Sequence, residues 1–324
     1  MTRSRIAGTG SSVPKKVLSN DDLAKIIDTN DEWIRTRTGI SERRVAVDET
    51  TSGLSVDAAR RALKAAGVRA RDIDLVVVGT VTPDMIFPST ACSVQRALGI
   101  RSGVPAFDIS AACSGFLFAL DIADTYIATG RASSALVIGV DIFSRIIDWK
   151  DRSTCVLFGD GAGAAVLTST TKKKGILSSR IHSDGRHWQK LYTPGALSLS
   201  PFESKEQKPA YVKMQGNETF KVAVKTIAST CKEVLEDCQI SAADITLLIP
   251  HQANMRIIKA VGKKLKLTDD QVFVNIEKYG NTSAGSIPLA LDEAVRSGRI
   301  KEGDIVLLVA FGGGLTWAST IIKW

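Results

Sequence analysis

The chain has 324 residues, 44% of them hydrophobic and 23% charged, with a formal net charge of +8. This is a globular composition, with length enough for one large core or two smaller ones. It excludes a membrane helix, because no stretch approaches the roughly 20 apolar residues required, and it excludes a base-stacking nucleic-acid platform, because basic residues are scattered among acids and only 6% of the chain is aromatic.

The opening residues, Met1 to Gly10, hold no apolar run of signal-peptide length. Five cysteines stand at 92, 113, 155, 231 and 238, an odd number without a C-x-x-C pair. That argues against a disulfide framework or thiolate metal site and for a reducing, cytoplasmic setting. The positive charge leaves room for a basic patch facing an acidic protein or a phosphorylated ligand.

In chain order, Val56 to Ala66 reads as an Ala-rich helix stopped by Gly67. Asp74 to Thr80 is a buried strand and Ala106 to Ile109 a shorter one. Ala112 to Thr129 is a helix closed by Gly130, and Ala135 to Val140 returns as a strand. Strands separated by helices predict a mainly parallel sheet covered on both faces. The order then repeats, with a helix around Phe220 to Leu235 and a strand from Ile245 to Ile249. Three anchors support a duplication: Asp74 and Asp244 lie 170 residues apart, Asp121 and Asp292 171 apart, and Gly130 and Gly298 168 apart. We therefore expect two related α/β halves, 1–171 and 172–324, joined near the polar run Thr168 to Gly175. The segment from His182 to Ala210, with three prolines, breaks the alternation, as a lid or cover does.

Four segments carry chemistry. In Asp108-Ile-Ser-Ala-Ala-Cys113-Ser-Gly a strand ends among small residues and a helix begins. Cys113 therefore sits where unpaired N–H groups and the helix dipole favour a thiolate, although a buried Cys acting as a small hydrophobe fits the same residues. The other four cysteines read as core. His251 follows an apolar strand and Pro250, at the carboxyl end of a strand, where open α/β sheets place ligands; His182 and His187 read as surface residues. Asn281, in Gly280-Asn-Thr-Ser-Ala-Gly285, stands near the helix start matching that of Cys113 and could be a simple N-cap. If the halves are related by a pseudo-twofold axis, Cys113, His251 and Asn281 converge on one cavity. Phe311-Gly-Gly-Gly-Leu-Thr-Trp317 lies between two strand-like runs, and its glycines are either a tight turn or a close backbone approach to a ligand oxygen. Phe158-Gly-Asp-Gly-Ala-Gly163 is rejected as a nucleotide loop because it precedes a strand instead of linking strand to helix.

Along its whole length the sequence resembles the β-ketoacyl-acyl-carrier-protein synthase III family. The matching segments are Asp31-Glu-Trp-Ile34, Thr36-Arg-Thr-Gly-Ile40, Ala111-Ala-Cys-Ser-Gly115, Phe158 to Ala165, Pro250-His-Gln-Ala-Asn-Met-Arg256, Gly280 to Ala284 and Ala310 to Gly314. The resemblance implies a thiolase-like fold, duplicated α/β halves in a five-layered αβαβα arrangement, usually dimeric. It implies decarboxylative condensation of a short acyl-CoA with malonyl-acyl carrier protein, with no permanently bound cofactor and coenzyme A entering as a thioester substrate. Cys113 would hold the acyl group. His251 and Asn281 would bind the malonyl thioester oxygen, the N–H groups of Cys113 and Gly313 would form an oxyanion hole, and Phe311 would face the malonyl carboxylate. The adenine would lie between Trp33 and Arg152, with Thr29, Arg37 and Asn254 as further CoA contacts. Gln252, Ala253, Asn254, Met255 and Arg256, with Lys221 and Lys263, would dock the acidic carrier protein. Phe87, across the dimer interface, and Leu157 would limit the acyl pocket.

Chalcone-synthase-like polyketide enzymes, which share the fold and the Cys, His and Asn, are the nearest alternative and extend with malonyl-CoA. A papain-like protease runs the same three residue types in the same order, but the α/β pattern and the absence of C-G-S-C-W oppose it. A non-enzymatic carrier-binding module leaves the triad and glycine run unexplained.

Overall fold

The computed structural model describes residues 2–195 and 210–324. Residues 196–209, part of the expected cover segment, lie outside the described residues.

The first half contains β1 (Arg3–Ser12), β2 (Lys16–Ser19), α1 (Asn20–Ala24), α2 (Asp31–Thr38), β3 (Glu42–Val45), α3 (Thr51–Ala66), β4 (Leu75–Gly79), α4 (Thr90–Leu98), β5 (Ala106–Ile109), α5 (Gly115–Ala128), β6 (Ser134–Ile142), α6 (Arg152–Cys155) and β7 (Asp160–Thr170). The second contains β8 (Gly175–Ser183), β9 (Leu191–Tyr192), β10 (Lys213–Met214), α7 (Gly216–Cys238), β11 (Leu247–Pro250), α8 (Met255–Lys264), α9 (Ile276–Tyr279), α10 (Ser286–Arg296), β12 (Ile305–Gly312) and β13 (Thr316–Lys323). Helix boundaries follow local chemistry. Thr50 caps α3 by accepting from the Gly53 N–H, and Gly67 ends it in the left-handed conformation.

One sheet runs β1-β7-β6-β4-β5 and the other β11-β12-β13-β8. Their pairings correspond. β4 with β6 and β11 with β12 are parallel; β6 with β7, β12 with β13, β7 with β1 and β13 with β8 are antiparallel. Even β5, parallel to β4, has a counterpart in the isolated parallel bridge between Leu248 and Val272. Both sheets are thus mixed, not mainly parallel as the alternation predicted. β12 turns straight into β13 through Gly313 to Leu315, and the chain between β6 and β7 carries only short helices, so neither link is the helical crossover a parallel neighbour needs.

The central strands are buried on both faces and distribute alternate residues between layers. Leu75 and Val77 of β4 pack with α5 and α10, while Val76 and Val78 pack with α3 and α4. On β12, Val306, Leu308 and Ala310 join the α5 and α10 layer, while Leu307, Val309 and Phe311 face α7 and α8. The layers are therefore α3 with α4, the first sheet, α5 with α10, the second sheet, and α7 with α8. Central apolar strands read as continuous runs for this reason. Close approach at the middle layer depends on Gly139, where an added Cβ would stand 2.2 Å from the Ala284 carbonyl oxygen. Among the described residues no helix is long and apolar enough to cross a membrane.

Candidate active site

The nucleophile turn is built where β5 ends. Between β5 and α5 lies a single 3-10 turn, Ala112–Ser114, so Cys113 precedes the α-helix proper instead of lying in its first turn. Ala112 has φ 46°, a left-handed conformation that a small side chain tolerates best. A matching turn, Ser283–Gly285, precedes α10, and Ser283 has φ 48°. Both turns meet in the middle layer, where the Ser283 hydroxyl donates to Cys113 Sγ over 3.5 Å. The Thr316 hydroxyl bonds the carbonyls of Ala111 (2.9 Å) and Gly313 (3.1 Å), tying the nucleophile turn to the glycine turn. A Cβ on Gly312 would lie 2.7 Å from the Cys113 nitrogen, so only glycine lets the two backbones come this close.

Burial pushes the Cys113 thiol up to about 12; the Ser283 donor acts in the opposite direction, and the nearby Asp141 charge adds to the rise. Burial thus favours the resting thiol over the thiolate that the strand-to-helix junction led us to expect.

His251 follows β11 and is fixed by its N–H donating to the Val309 carbonyl (2.8 Å). Its ring is buried with Nδ1 unpartnered, and burial alone pulls its pKa down to about 3. The imidazole is neutral. Asn281 is held by main-chain bonds from its N–H to Leu157 O (2.8 Å) and from Gly159 N to its own carbonyl (3.0 Å). Its Oδ1 accepts from Ser283 N (2.9 Å), so any bond offered to the cavity is a donation from Nδ2. Behind Leu157 lies Arg43, fully buried, whose guanidinium donates to Leu18 O, Asn20 Oδ1 and Val156 O.

Cys113, His251, Asn281, Phe311 and Leu157 line one cavity of about 560 Å³, along with Trp33, Arg37, Arg152, Lys221, Ala253, Asn254 and Arg256. The positively charged residues stand around its aromatic mouth: Arg37 lies 4.6 Å and Arg152 4.8 Å from the Trp33 ring centroid, and Arg256 lies 5.2 Å from that of Phe220. A planar base between Trp33 and Arg152 needs about 7 Å, two contact distances. Arg152 occupies that space itself, while donating to the Asp28 carbonyl (2.8 Å).

Several expected residues stand elsewhere. Gln252 is only 2% exposed, and its side-chain amide bonds Pro250 O, Phe273 O and Asn275 N, so it shapes the segment and offers no side chain to a partner. Met255 packs inward beside Ile34 and Ile258. Asn254 caps α8 by accepting from Arg256 N and donates to the Arg37 carbonyl. Lys263 is exposed further along α8, outside the cavity lining, and Thr29 also stands outside it with a buried, unpartnered hydroxyl. Phe87 is 82% exposed, continuous with exposed Met85 and Ile86. His182, read as a surface residue, is half-buried, stacks on Trp317 and bonds Glu233.

Sequence reasoning missed three features. Ser283 reaches Cys113 and Asn281 together. Asp141, buried at the end of β6, accepts from Thr80, Val81, Thr82 and Ala284; a carboxylate one residue past an apolar strand was a readable signal. Leu191 and Met214, from the β9–β10 ribbon, line the cavity, and no local pattern in that polar segment marks them.

The chain as a whole is similar to several known proteins. Models described as 3-oxoacyl-[acyl-carrier-protein] synthase III and its C-terminal region match residues 107–185 and 235–324. The β-ketoacyl-[acyl-carrier-protein] synthase III of Alkalilimnicola ehrlichii is 54% identical over 100% of both chains. The crystal structure of 3-oxoacyl-[acyl-carrier-protein] synthase III from Aquifex aeolicus superposes with a TM-score of 0.93 at 49% identity, covering 99% of this chain and 100% of that one. A priming β-ketosynthase of a polyketide biosynthetic pathway also superposes at 0.93, with 36% identity over 98% of this chain and 96% of its own.

The duplicated five-layer fold, with the similarity to these proteins, defines a condensing acyltransferase of the thiolase-like class. Within that class the chain belongs to the β-ketoacyl-[acyl-carrier-protein] synthase III family.

Proposed function

We propose that the enzyme condenses a short acyl-CoA, acetyl-CoA first among them, with malonyl-acyl carrier protein, releasing carbon dioxide and forming the 3-oxoacyl-carrier protein that starts fatty acid synthesis. The observation that carries this reading is the convergence of Cys113, His251, Asn281 and Phe311 on one cavity whose mouth is cationic and aromatic.

In the first half-reaction Cys113 Sγ attacks the acyl-CoA carbonyl. A new carbon–sulfur bond forms at Cys113, the CoA thioester bond breaks, and the thiol proton ends on the CoA sulfur. The N–H groups of Cys113 and Gly313 stabilise the tetrahedral oxyanion. In the second, the malonyl thioester oxygen accepts from the neutral His251 ring and Asn281 Nδ2. Charge develops on that oxygen as carbon dioxide leaves, so these donors act on the transition state more than on the substrate. Phe311, an apolar neighbour, disfavours the substrate carboxylate relative to its uncharged product. The carbanion then attacks the acyl carbon, the carbon–sulfur bond breaks, and Cys113 leaves as a thiolate that takes a proton from solvent to return to the resting thiol.

Trp33, Arg37, Arg152 and Asn254 suit the CoA nucleotide, with Arg152 swinging off Trp33 as the base enters. Arg256 and Lys221, with Lys263 and Ala253 nearby, suit an acidic carrier protein. The exposed run Met85, Ile86 and Phe87 suits burial in a homodimer, where Phe87 would limit a partner's acyl pocket alongside Leu157. Five free cysteines suit a cytoplasmic setting. A polyketide-type reading, with another primer or with malonyl-CoA as extender, draws on the similarity to the priming ketosynthase. A panel of acyl-CoA primers assayed with malonyl-carrier protein and with malonyl-CoA separates the two. Acetyl-CoA with malonyl-carrier protein should be fastest, and preference for malonyl-CoA or a long primer would overturn the proposal.

A further inference from the structure

One side chain at the nucleophile has no part in the reaction as described. Ser283 is fully buried, and it touches two of the three reacting residues. Its hydroxyl donates to Cys113 Sγ (3.5 Å), and its backbone N–H donates to Asn281 Oδ1 (2.9 Å). The next residue, Ala284, is pinned by its N–H to Asp141 Oδ2 (3.2 Å), while Asp141 Oδ1 accepts from Thr80, Val81 and Thr82 over 2.8–3.0 Å, and the Ser283 hydroxyl also faces this carboxylate, so Cys113 Sγ shares that donor with Asp141. The turn holding Ser283 is therefore fixed from behind by a carboxylate loaded with donors.

We infer that Ser283 is a positioning residue whose hydroxyl holds the Cys113 sulfur and stabilises the charge it carries, while its main chain separately sets the Asn281 amide. Resting on the assignment of Cys113 as acyl carrier, the inference follows from when Sγ is charged. That sulfur carries negative charge twice, once its thiol has given up the proton for attack on acyl-CoA and again as it leaves the condensed product. At both moments a buried sulfur with Asp141 nearby needs a donor, and Ser283 supplies one inside the buried middle layer. Decarboxylation uses the Asn281 amide, which Ser283 holds through its main chain only, and so does not need the hydroxyl.

The repeat supplies a clean substitution. Ala112 occupies the matching turn at φ 46°, against 48° for Ser283, so alanine fits this backbone. Ser283→Ala removes the hydroxyl and keeps the N–H, and Ser283→Gly does the same while relieving the left-handed conformation. The experiment measures four rates on the full enzyme: acyl transfer from labelled acyl-CoA in a single turnover, alkylation of Cys113 by iodoacetamide at pH 8, condensation from the preformed acyl-enzyme, and carbon dioxide release from malonyl-carrier protein after Cys113 is fully alkylated. Both variants should lose about tenfold in the first three, the effect of one hydrogen bond to a charged group, with carbon dioxide release unchanged. Wild-type acyl transfer and alkylation in both variants would overturn the inference. So would a loss in Ser283→Ala that Ser283→Gly restores, because backbone strain would then be the cause. Cys113→Ser in parallel keeps the two readings apart: acyl label retained there would overturn the acyl-carrier assignment itself, whatever the Ser283 variants do.

Discussion

Arg152 lies 4.8 Å from the centroid of the Trp33 ring, on the face where we propose that the CoA base stacks. The contact joins α6 to α2 at the mouth of the cavity and covers this face of the ring. Both side chains are ready to stack on an incoming base, at the cost of one cation–π contact worth about 0.5–1 kcal/mol at an exposed site.

That cost is small, so loss of the stacking surface should outweigh it. Trp33→Ala should raise KM for acyl-CoA about tenfold or more. Values of kcat and of KM for malonyl-carrier protein should stay within about twofold. Steady-state kinetics with each substrate varied in turn check this, and equal losses on both would place Trp33 in general stability instead.

Charge at the mouth should divide the substrates the other way. Arg256 is exposed at the start of α8, braced against Phe220. Arg256→Glu should weaken use of the carrier protein by about tenfold or more, with the loss growing as salt is lowered, and leave acyl-CoA use nearly intact. Initial rates at two ionic strengths test it.

The neutrality of His251 makes a pH prediction. Its folded pKa is pulled from 6.5 down to about 3 by burial, so between these values the unfolded chain binds a proton that the folded chain excludes. Stability from this group is complete above about pH 6.5 and is lost as pH falls toward 3. Replacement by a side chain that does not titrate, His251→Asn, should flatten the acid limb of a stability–pH curve by about one proton. It should also abolish carbon dioxide release from malonyl-carrier protein at pH 7. Chemical denaturation across pH 4–8 and a decarboxylation assay read the two effects independently.

Buried Arg43 should matter to stability and to Asn281 together. Its guanidinium satisfies Leu18 O, Asn20 Oδ1 and Val156 O, and the adjacent Leu157 carbonyl holds the Asn281 N–H. Arg43→Met strands those acceptors and should destabilise the fold by about 2–4 kcal/mol. Decarboxylation should fall more than CoA binding does. A denaturant titration paired with carbon dioxide release checks both.

Much of this arrangement was readable before any coordinates. The repeat in Asp74 and Asp244, and in Asp121 and Asp292, comes from equivalent positions in matching sheets and middle-layer helices, which must keep similar packing. Cys113 was legible because small residues crowd the junction of strand and helix. Its protonation was not legible: a strand-to-helix junction announces donors, but burial between two sheets depends on chain from both halves. The Ser283 contact was hidden for the same reason, since it spans 170 residues and the motif around Asn281 looks local. Mixed sheets escaped the reading because a buried antiparallel strand, such as β7, has the same continuous apolar sequence as a parallel one. Gln252 misled because a polar residue in a docking-like segment resembles a surface group until its three buried backbone partners are seen.

Everything proposed for the chemistry turns on the acyl group residing on Cys113. The direct measurement is to mix the enzyme with labelled acetyl-CoA in the absence of malonyl-carrier protein, quench, digest and locate the label by mass spectrometry. One acetyl group per active site is expected, on the peptide carrying Cys113, and none in Cys113→Ser. Label on any other residue, or label persisting in Cys113→Ser, would contradict it.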